Sequence, residues 1–311
     1  MLPYRAMKKE GKQGVYKEAG DNFHPIECEK WMTSRPIAHR GLHDETTPEN
    51  SVPAFEAAIA AGISIELDVQ LSKDGEAVVF HDDNVLRLTG VDRDIEKMTI
   101  EEIKALRFRG TDLQIPTFEE FLALVDGRVP ILVEIKKHRK PLERIVIERL
   151  QRYGGEFAIQ AFNPFVIRYV RKLDPTIACG LLSSKFEDMK LMRIKKAGIK
   201  NARLFFIAKP DFLSFEIHSF PNDRIADFRE KLGLPVLAWT VKTKEELEHA
   251  KHFCDNIIFE NATALKEHFA RLEKNMATFE KNIAAAMKTI GEKLTPEGAS
   301  GTANDRTVHG K

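Results

Sequence analysis

His39 and Arg40 close a short apolar run and are followed by Gly41, which crowds an imidazole and a guanidinium onto one strand-to-loop junction. Imidazole titrates near neutral pH, and a guanidinium grips an oxyanion through paired N–H donors, so the junction reads as a catalytic rim. A second histidine, His81, closes the apolar run over 77–80. Two imidazoles at one rim can divide the work of general base and general acid. A lone histidine is more often structural; the carboxylates that accompany these two lift them above that expectation.

The carboxylates come in a two-residue rhythm. Glu66 and Asp68 lie on a strand predicted over 63–69, where side chains two apart share a face, while Ile65, Leu67 and Val69 point the other way. Glu134 and Lys136 repeat the arrangement on a strand predicted over 131–136. An isolated Glu-X-Asp is most often an acidic pair held by a neighbouring Lys or Arg. Several carboxylates inside one core, however, repel each other unless a cation sits among them. An all-oxygen donor set selects a hard ion, Mg²⁺ or Ca²⁺. Glu66, Asp68 and Glu134 are therefore candidate metal ligands, and Lys136 a candidate fixed charge for an anionic substrate. A plain salt bridge from Lys136 to one of the acids would leave the histidines without a purpose. His43, in the loop beside Arg40, is the one further histidine placed to join such a site. No Ser/His/Asp order and no Gly-rich phosphate loop competes.

The elements that must hold these groups alternate strand and helix. Runs rich in Val, Ile and Phe predict buried parallel strands at 36–39, 63–69, 131–136, 157–162, 177–182, 212–217, 236–241 and 256–259. Eight such units predict an α/β fold, a TIM-like (β/α)₈ barrel rather than an open sheet, although 204–208 competes as a strand. A helix over 52–61, capped by Asn50 or Ser51 and stopped at Gly62, follows the first strand. The turn sequence Ser72-Lys73-Asp74-Gly75 predicts a hairpin that folds His81 back toward Glu66. Residues 92–108, with a capping box at Thr99 and Glu102, predict a small helical insertion over the barrel mouth.

Around the barrel, expected over 34–262, the chain carries extensions. Residues 1–33 are polar and lysine-rich, with Trp31 and Met32 expected to dock on the barrel base. In 263–293, Leu265, Phe269, Leu272, Met276, Phe279 and Ile283 recur at spacings of 4, 3, 4, 3 and 4, a heptad-like C-terminal helix. Its seam either packs on the barrel or makes a homo-oligomer. The Gly, Thr, Ser and Asn content of 294–311 reads as a disordered tail. Charge is balanced, 48 basic against 47 acidic residues, which gives no overall pull toward nucleic acid or a membrane surface. Cys28, Cys179 and Cys254 fit neither a disulfide framework nor a metal site, as in a reducing compartment. No run approaches the ~20 apolar residues of a transmembrane segment, so a soluble cytoplasmic protein is expected.

Taken together, His39-Arg40-Gly41, Pro48-Glu49-Asn50, Glu66-Leu67-Asp68-Val69, Lys73-Asp74-Gly75, His81-Asp82 and Glu134-Ile135-Lys136 resemble the glycerophosphodiester phosphodiesterase family. The resemblance runs over about residues 35–261 and includes Ala238-Trp239-Thr240-Val241; no motif is specific alone, but the set is. That family is similar to phosphatidylinositol-type phospholipases C in having a TIM-like barrel with a divalent ion. The resemblance implies metal-dependent hydrolysis of a small-molecule glycerophosphodiester to sn-glycerol 3-phosphate and an alcohol. It implies His39 and His81 as the acid–base pair, Glu66, Asp68 and Glu134 as ligands of Mg²⁺ or Ca²⁺, and Arg40 and Lys136 on the phosphate. Glu49 and Asn50 would support the site, and Trp239 would line the alcohol pocket.

Two departures stand out. Ile258-Phe259-Glu260-Asn261 occupies the place of the family's closing Ile-Thr-Asp-like element, which leaves the contacts of the final loop open. Gln160-Ala161-Phe162-Asn163 occurs where Ser-Phe is usual. Two alternatives accompany the main reading. One is a phosphodiesterase for lysophospholipids or sphingolipids, favoured by any exposed apolar track beside Trp239. The other is a non-catalytic phosphodiester-binding barrel, disfavoured by the intact set of histidines, carboxylates and Lys136. The C-terminal seam is tested by light scattering on a chain ending near Lys266: loss of an oligomer assigns the seam to self-association, and an unchanged state assigns it to packing.

Overall fold

Strand β1 (Ile37–Ala38) has only two residues, yet it closes a ring. It lies parallel to β2 (Ser64–Leu71) on one side and to the last strand, Asn256–Phe259, on the other. The computed structural model describes residues 25–26, 28–184 and 207–260. After β2 comes β3 (Ala77–Val79), then β4 (Ile131–Ile135), β5 (Phe157–Ala161), β6 (Cys179–Ser183), β7 (Phe212–Glu216), β8 (Val236–Val241) and β9 (Asn256–Phe259). Every strand but β3 is parallel to its neighbours, and the ring order β1-β9-β8-β7-β6-β5-β4-β2 closes through the pairing of β1 with β2. This is the predicted (β/α)₈ barrel. The exception, β3, pairs antiparallel with the far half of β2, Val69 opposite Val79, as the Asp74-Gly75 turn requires.

Side chains that point inward stack in layers. At the N-terminal ends of the strands, Ile37, Leu132, Ala158, Phe212, Leu237 and Ile258 form an apolar floor. Trp31 and Met32, on the short helix Trp31–Ser34, are buried against it and plug the base, as expected. Above that floor stand Glu66, Glu134, Gln160 and Ser214, all buried. A polar layer over an apolar floor keeps water from the strands' lower halves and leaves the charged groups facing only the mouth.

The insertion differs from its prediction. Residues 92–108 do not form one helix but a 3₁₀ turn, Ile95–Lys97, and a short helix, Ile100–Ala105, preceded by a third helix, Leu86–Thr89. The Thr99 and Glu102 capping box is present. The apolar residues that suggested a longer helix fill a satellite core instead, where Phe80, Val85, Ile95, Met98, Ile103 and Phe108 meet. Such a core is satisfied by a compact loop without helical periodicity. The helix after β1 is Val52–Ala60, capped by Ser51. The heptad-like seam, the 294–311 tail and most of the competing 204–208 strand lie outside the described residues.

Phe212 owes its place in the floor to the glycine directly opposite it on the neighbouring strand, Gly180 of β6. A Cβ on Gly180 would lie 2.0 Å from the Phe212 ring, inside any tolerable contact. Gly180→Ala is therefore expected to overpack the barrel centre and lower the unfolding free energy by about 1–3 kcal/mol, read by urea denaturation. An unchanged midpoint and slope would contradict this packing.

Candidate active site

Glu66 and Asp68 enter the barrel because their neighbours Ile65, Leu67 and Val69 are needed outside it, where they are fully buried under the helices. Parallel pairing then sets Asp68 opposite Glu134. The three carboxylates are 1 %, 0 % and 5 % exposed, and one oxygen of each lies within 4.8 Å of the others. Lys136 reaches back over them, its Nζ 2.7 Å from Glu134 Oε1 and 3.2 Å from Asp68 Oδ1. Arg40 comes from the other side, Nε 3.2 Å from Asp68 Oδ2 and Nη1 donating to Glu49 Oε1 at 2.7 Å.

That arrangement depends on a contorted loop. Arg40 and Asn50 both have left-handed backbones, φ 57° and 54°, and the Asn50 N–H donates to the Arg40 carbonyl at 2.9 Å. Non-glycine residues there cost about 1–2 kcal/mol each, offset by what the loop gains in buried contacts. The Arg40 backbone N–H donates to Glu66 Oε2 at 3.1 Å, and Asn50 Nδ2 donates to Asp68 Oδ2 at 3.0 Å. Gly41 follows at φ 82°, where a Cβ would press on the Ala54 backbone at 2.9 Å. Asn50 thus touches the Asp68 carboxylate directly, and Glu49 holds the Arg40 guanidinium that faces it.

The charges do not balance locally. Asp68 has two cations, and despite burial Lys136 and Arg40 hold it below the usual carboxylate range. Burial and then the Asp68 charge push Glu66 well above that range, since its own partners are a backbone N–H and the Gln160 amide at 3.5 Å. Burial also raises Glu134, against the pull of Lys136. Burial would lower Lys136, but Asp68 and Glu134 outweigh it and raise it. Three hard oxygen donors with an unmatched negative charge fit a divalent cation such as Mg²⁺ or Ca²⁺.

Both histidines are backed by acids. His39 Nδ1 lies 2.6 Å from Glu260 Oε1, which turns Nε2 toward Glu66, 3.9 Å from Oε2. Burial lowers the His39 pKa, with Glu260 opposing. Lys242 holds the other Glu260 oxygen at 2.7 Å, and His43 Nε2 stands 4.0 Å from Oε1. His81 Nδ1 lies 2.7 Å from Asp82 Oδ1. Arg87, on the insertion, clamps Asp82 Oδ2 at 2.6 Å and both Glu49 oxygens at 2.7 and 3.1 Å. Gln70 Nε2 points at the carbonyls of Phe80, His81 and Asp82, which pins the hairpin's return. Trp239, on β8, meets Phe162 edge-on at 5.5 Å, and its indole N–H has no acceptor among the described residues.

Sequence reasoning passed over Arg87 and Gln70, while Glu260 and Gln160 stood out only as departures from a family pattern. A signal existed: β1 and β9 pair Ala38 with Phe259, so the next residues on each strand, His39 and Glu260, emerge side by side.

A sequence model of the glycerophosphoryl diester phosphodiesterase family matches residues 39–264, which takes in every group above. The chain belongs to that family. Membership makes it a phosphoric diester hydrolase. A glycerophosphodiester phosphodiesterase of Caldanaerobacter subterraneus is 31 % identical over 253 residues, 75 % of this chain and 97 % of that protein. A solved Oleispira antarctica phosphodiesterase in complex with the product sn-glycerol-3-phosphate is 25 % identical with a TM-score of 0.60, covering 72 % of this chain and 91 % of that one. A human lysophospholipase D is 32 % identical over 136 residues, 40 % of this chain and 43 % of that protein.

The uncompensated carboxylate has a consequence for stability. A carboxyl whose folded-state pKa is raised contributes stability below its unfolded value of about 4.5 and loses it as pH rises through the folded value. In EDTA at about pH 8, Glu66→Gln is therefore expected to melt above the wild type, with the advantage vanishing near pH 4. Mg²⁺ should raise the wild-type melting temperature and leave the variant's unmoved. A variant less stable than wild type at both pH values would contradict the assignment of strain to Glu66.

Proposed function

We propose that the chain hydrolyses glycerophosphodiesters to sn-glycerol 3-phosphate and an alcohol, with a divalent ion on Glu66, Asp68 and Glu134 and with His39 and His81 as its acid–base pair. The observation that carries this reading is the buried carboxylate trio with a carboxylate-backed imidazole turned toward it. When bound, the ion supplies Lewis-acid stabilisation of charge on a phosphoryl oxygen. Arg40 commits Nη1 to a hydrogen bond with Glu49 and sits in ion-pair range of Asp68, and its remaining N–H donors serve the phosphate. Lys136, fixed by two carboxylates, adds a positive charge that needs no reorganisation during reaction. Each histidine has Nδ1 committed to an acid, so Nε2 is the atom that takes a proton from the attacking oxygen or gives one to the leaving alkoxide. Trp239, through its indole N–H and its contact to Phe162, lines the alcohol side.

A second reading, a lysophospholipid-type phosphodiesterase, draws support from the human relative and from Phe162, which is 36 % exposed beside Trp239. Cleavage of long-chain lysolipids in preference to glycerophosphocholine would favour it.

Release of sn-glycerol 3-phosphate from glycerophosphocholine tests the proposal. His39→Ala and His81→Ala should each lower turnover by about 10²–10⁴-fold with folding intact. EDTA should abolish activity, and Mg²⁺ or Ca²⁺ should restore it. Near-normal turnover in both variants would sink the histidine assignment, and full activity in metal-free protein would sink the metal's role.

A further inference from the structure

The balanced overall charge conceals a lopsided face beside the barrel mouth. The chain leaves β4 through Lys136-Lys137-His138-Arg139-Lys140, a basic run on the strand-end side that carries the site. The helix after β5, Pro164–Leu173, sets Phe165, Arg168, Tyr169 and Lys172 along one flank at spacings of three and four. Together with His138, those four residues line an open hollow of about 480 Å³.

Two features separate this flank from an ordinary solvated one. Lys137 and Arg139 are paired with Asp83 and Glu96, but Lys140, Arg168 and Lys172 have no carboxylate partner among the described residues. Among the described large apolar side chains, Phe165 is the most exposed, at 48 %, and it lines the same hollow as Arg168 and Lys172. The aromatic track continues inward, since Phe162 stands against Trp239 at the mouth. Unpaired cations around a projecting phenyl ring complement a surface of fixed anions over hydrocarbon, where the ring is dehydrated and each cation meets a headgroup. No helix among the described residues is long and apolar enough to cross a membrane, and a contact made by such a ring and its cations lies in the interface plane.

We propose that this face docks the protein on an anionic phospholipid bilayer, with Lys140, Arg168 and Lys172 on headgroup phosphates and Phe165 in the interface. The mouth then opens onto the lipid–water boundary. Docking itself stands apart from the hydrolysis reading; delivery of membrane-resident diesters to the site rests on it.

Cosedimentation of the full chain with vesicles tests the docking. One set contains phosphatidylcholine alone, and the other contains about 30 % phosphatidylglycerol, enough to make the surface strongly anionic. The wild type should partition onto the anionic vesicles and not the neutral ones. Arg168→Gln with Lys172→Gln should weaken that partition about fivefold per cation, on the order of 25-fold for both. Phe165→Ser should weaken it independently, and all these variants should keep wild-type turnover of soluble glycerophosphocholine. Lys140→Gln provides a second probe should the double variant fold poorly. Equal partition onto both vesicle types, or undiminished binding by the well-folded variants, would overturn the proposal. A wild type that binds anionic vesicles yet hydrolyses no diester would sink the hydrolysis reading and leave docking standing; the reverse result would sink docking alone.

Discussion

Three carboxylates buried within 4.8 Å of one another are the constraint to which the rest of this molecule answers. Unscreened, they would repel strongly enough to force protons onto some of them. Two cations, Arg40 and Lys136, relieve Asp68 and part of Glu134, while Glu66 is left with a backbone N–H, an amide and a more distant imidazole. Stability alone would favour replacing Glu66, so its burial makes sense as part of a site built for a divalent ion. The apolar floor beneath, plugged by Trp31 and Met32, denies the carboxylates any other escape from their shared charge.

The loops complete what the strands begin. The left-handed backbone at Arg40 and Asn50 turns one loop so that its N–H, guanidinium and amide all meet carboxylates. The hairpin brings His81 to the mouth, and Arg87 ties the hairpin's Asp82 to Glu49 of the first loop. Arg40 links Glu49 in turn to Asp68. A chain of alternating charges therefore runs from His81 to the centre of the site, and each member is held in place by the next.

Much of this was legible in the sequence because strand alternation is local. Glu66 and Asp68 announce a shared face through the apolar residues between them, and Glu134 repeats the rhythm. The Asp74-Gly75 turn likewise placed His81 within one hairpin. What could not be read locally was closure. The contact between His39 and Glu260 spans 221 positions and exists only because β1 pairs with β9. A departure from the familiar closing motif therefore concealed a partner for the rim histidine. The insertion and its capping box were legible, but not how little of it is helix: its apolar residues serve a satellite core, and a packed loop obeys no period.

The central claim is that the carboxylate trio is a single divalent-cation site in which Glu66 gives up a proton as the ion binds. Calorimetric titration of metal-stripped protein with Mg²⁺ or Ca²⁺, repeated in buffers of different ionisation enthalpy, measures stoichiometry and proton release together. One ion should bind per chain, with protons released as Glu66 ionises, and Glu134→Gln should bind none. Binding that persists in that variant, or that releases no protons even at about pH 5, just above the ordinary carboxyl value, would refute the claim.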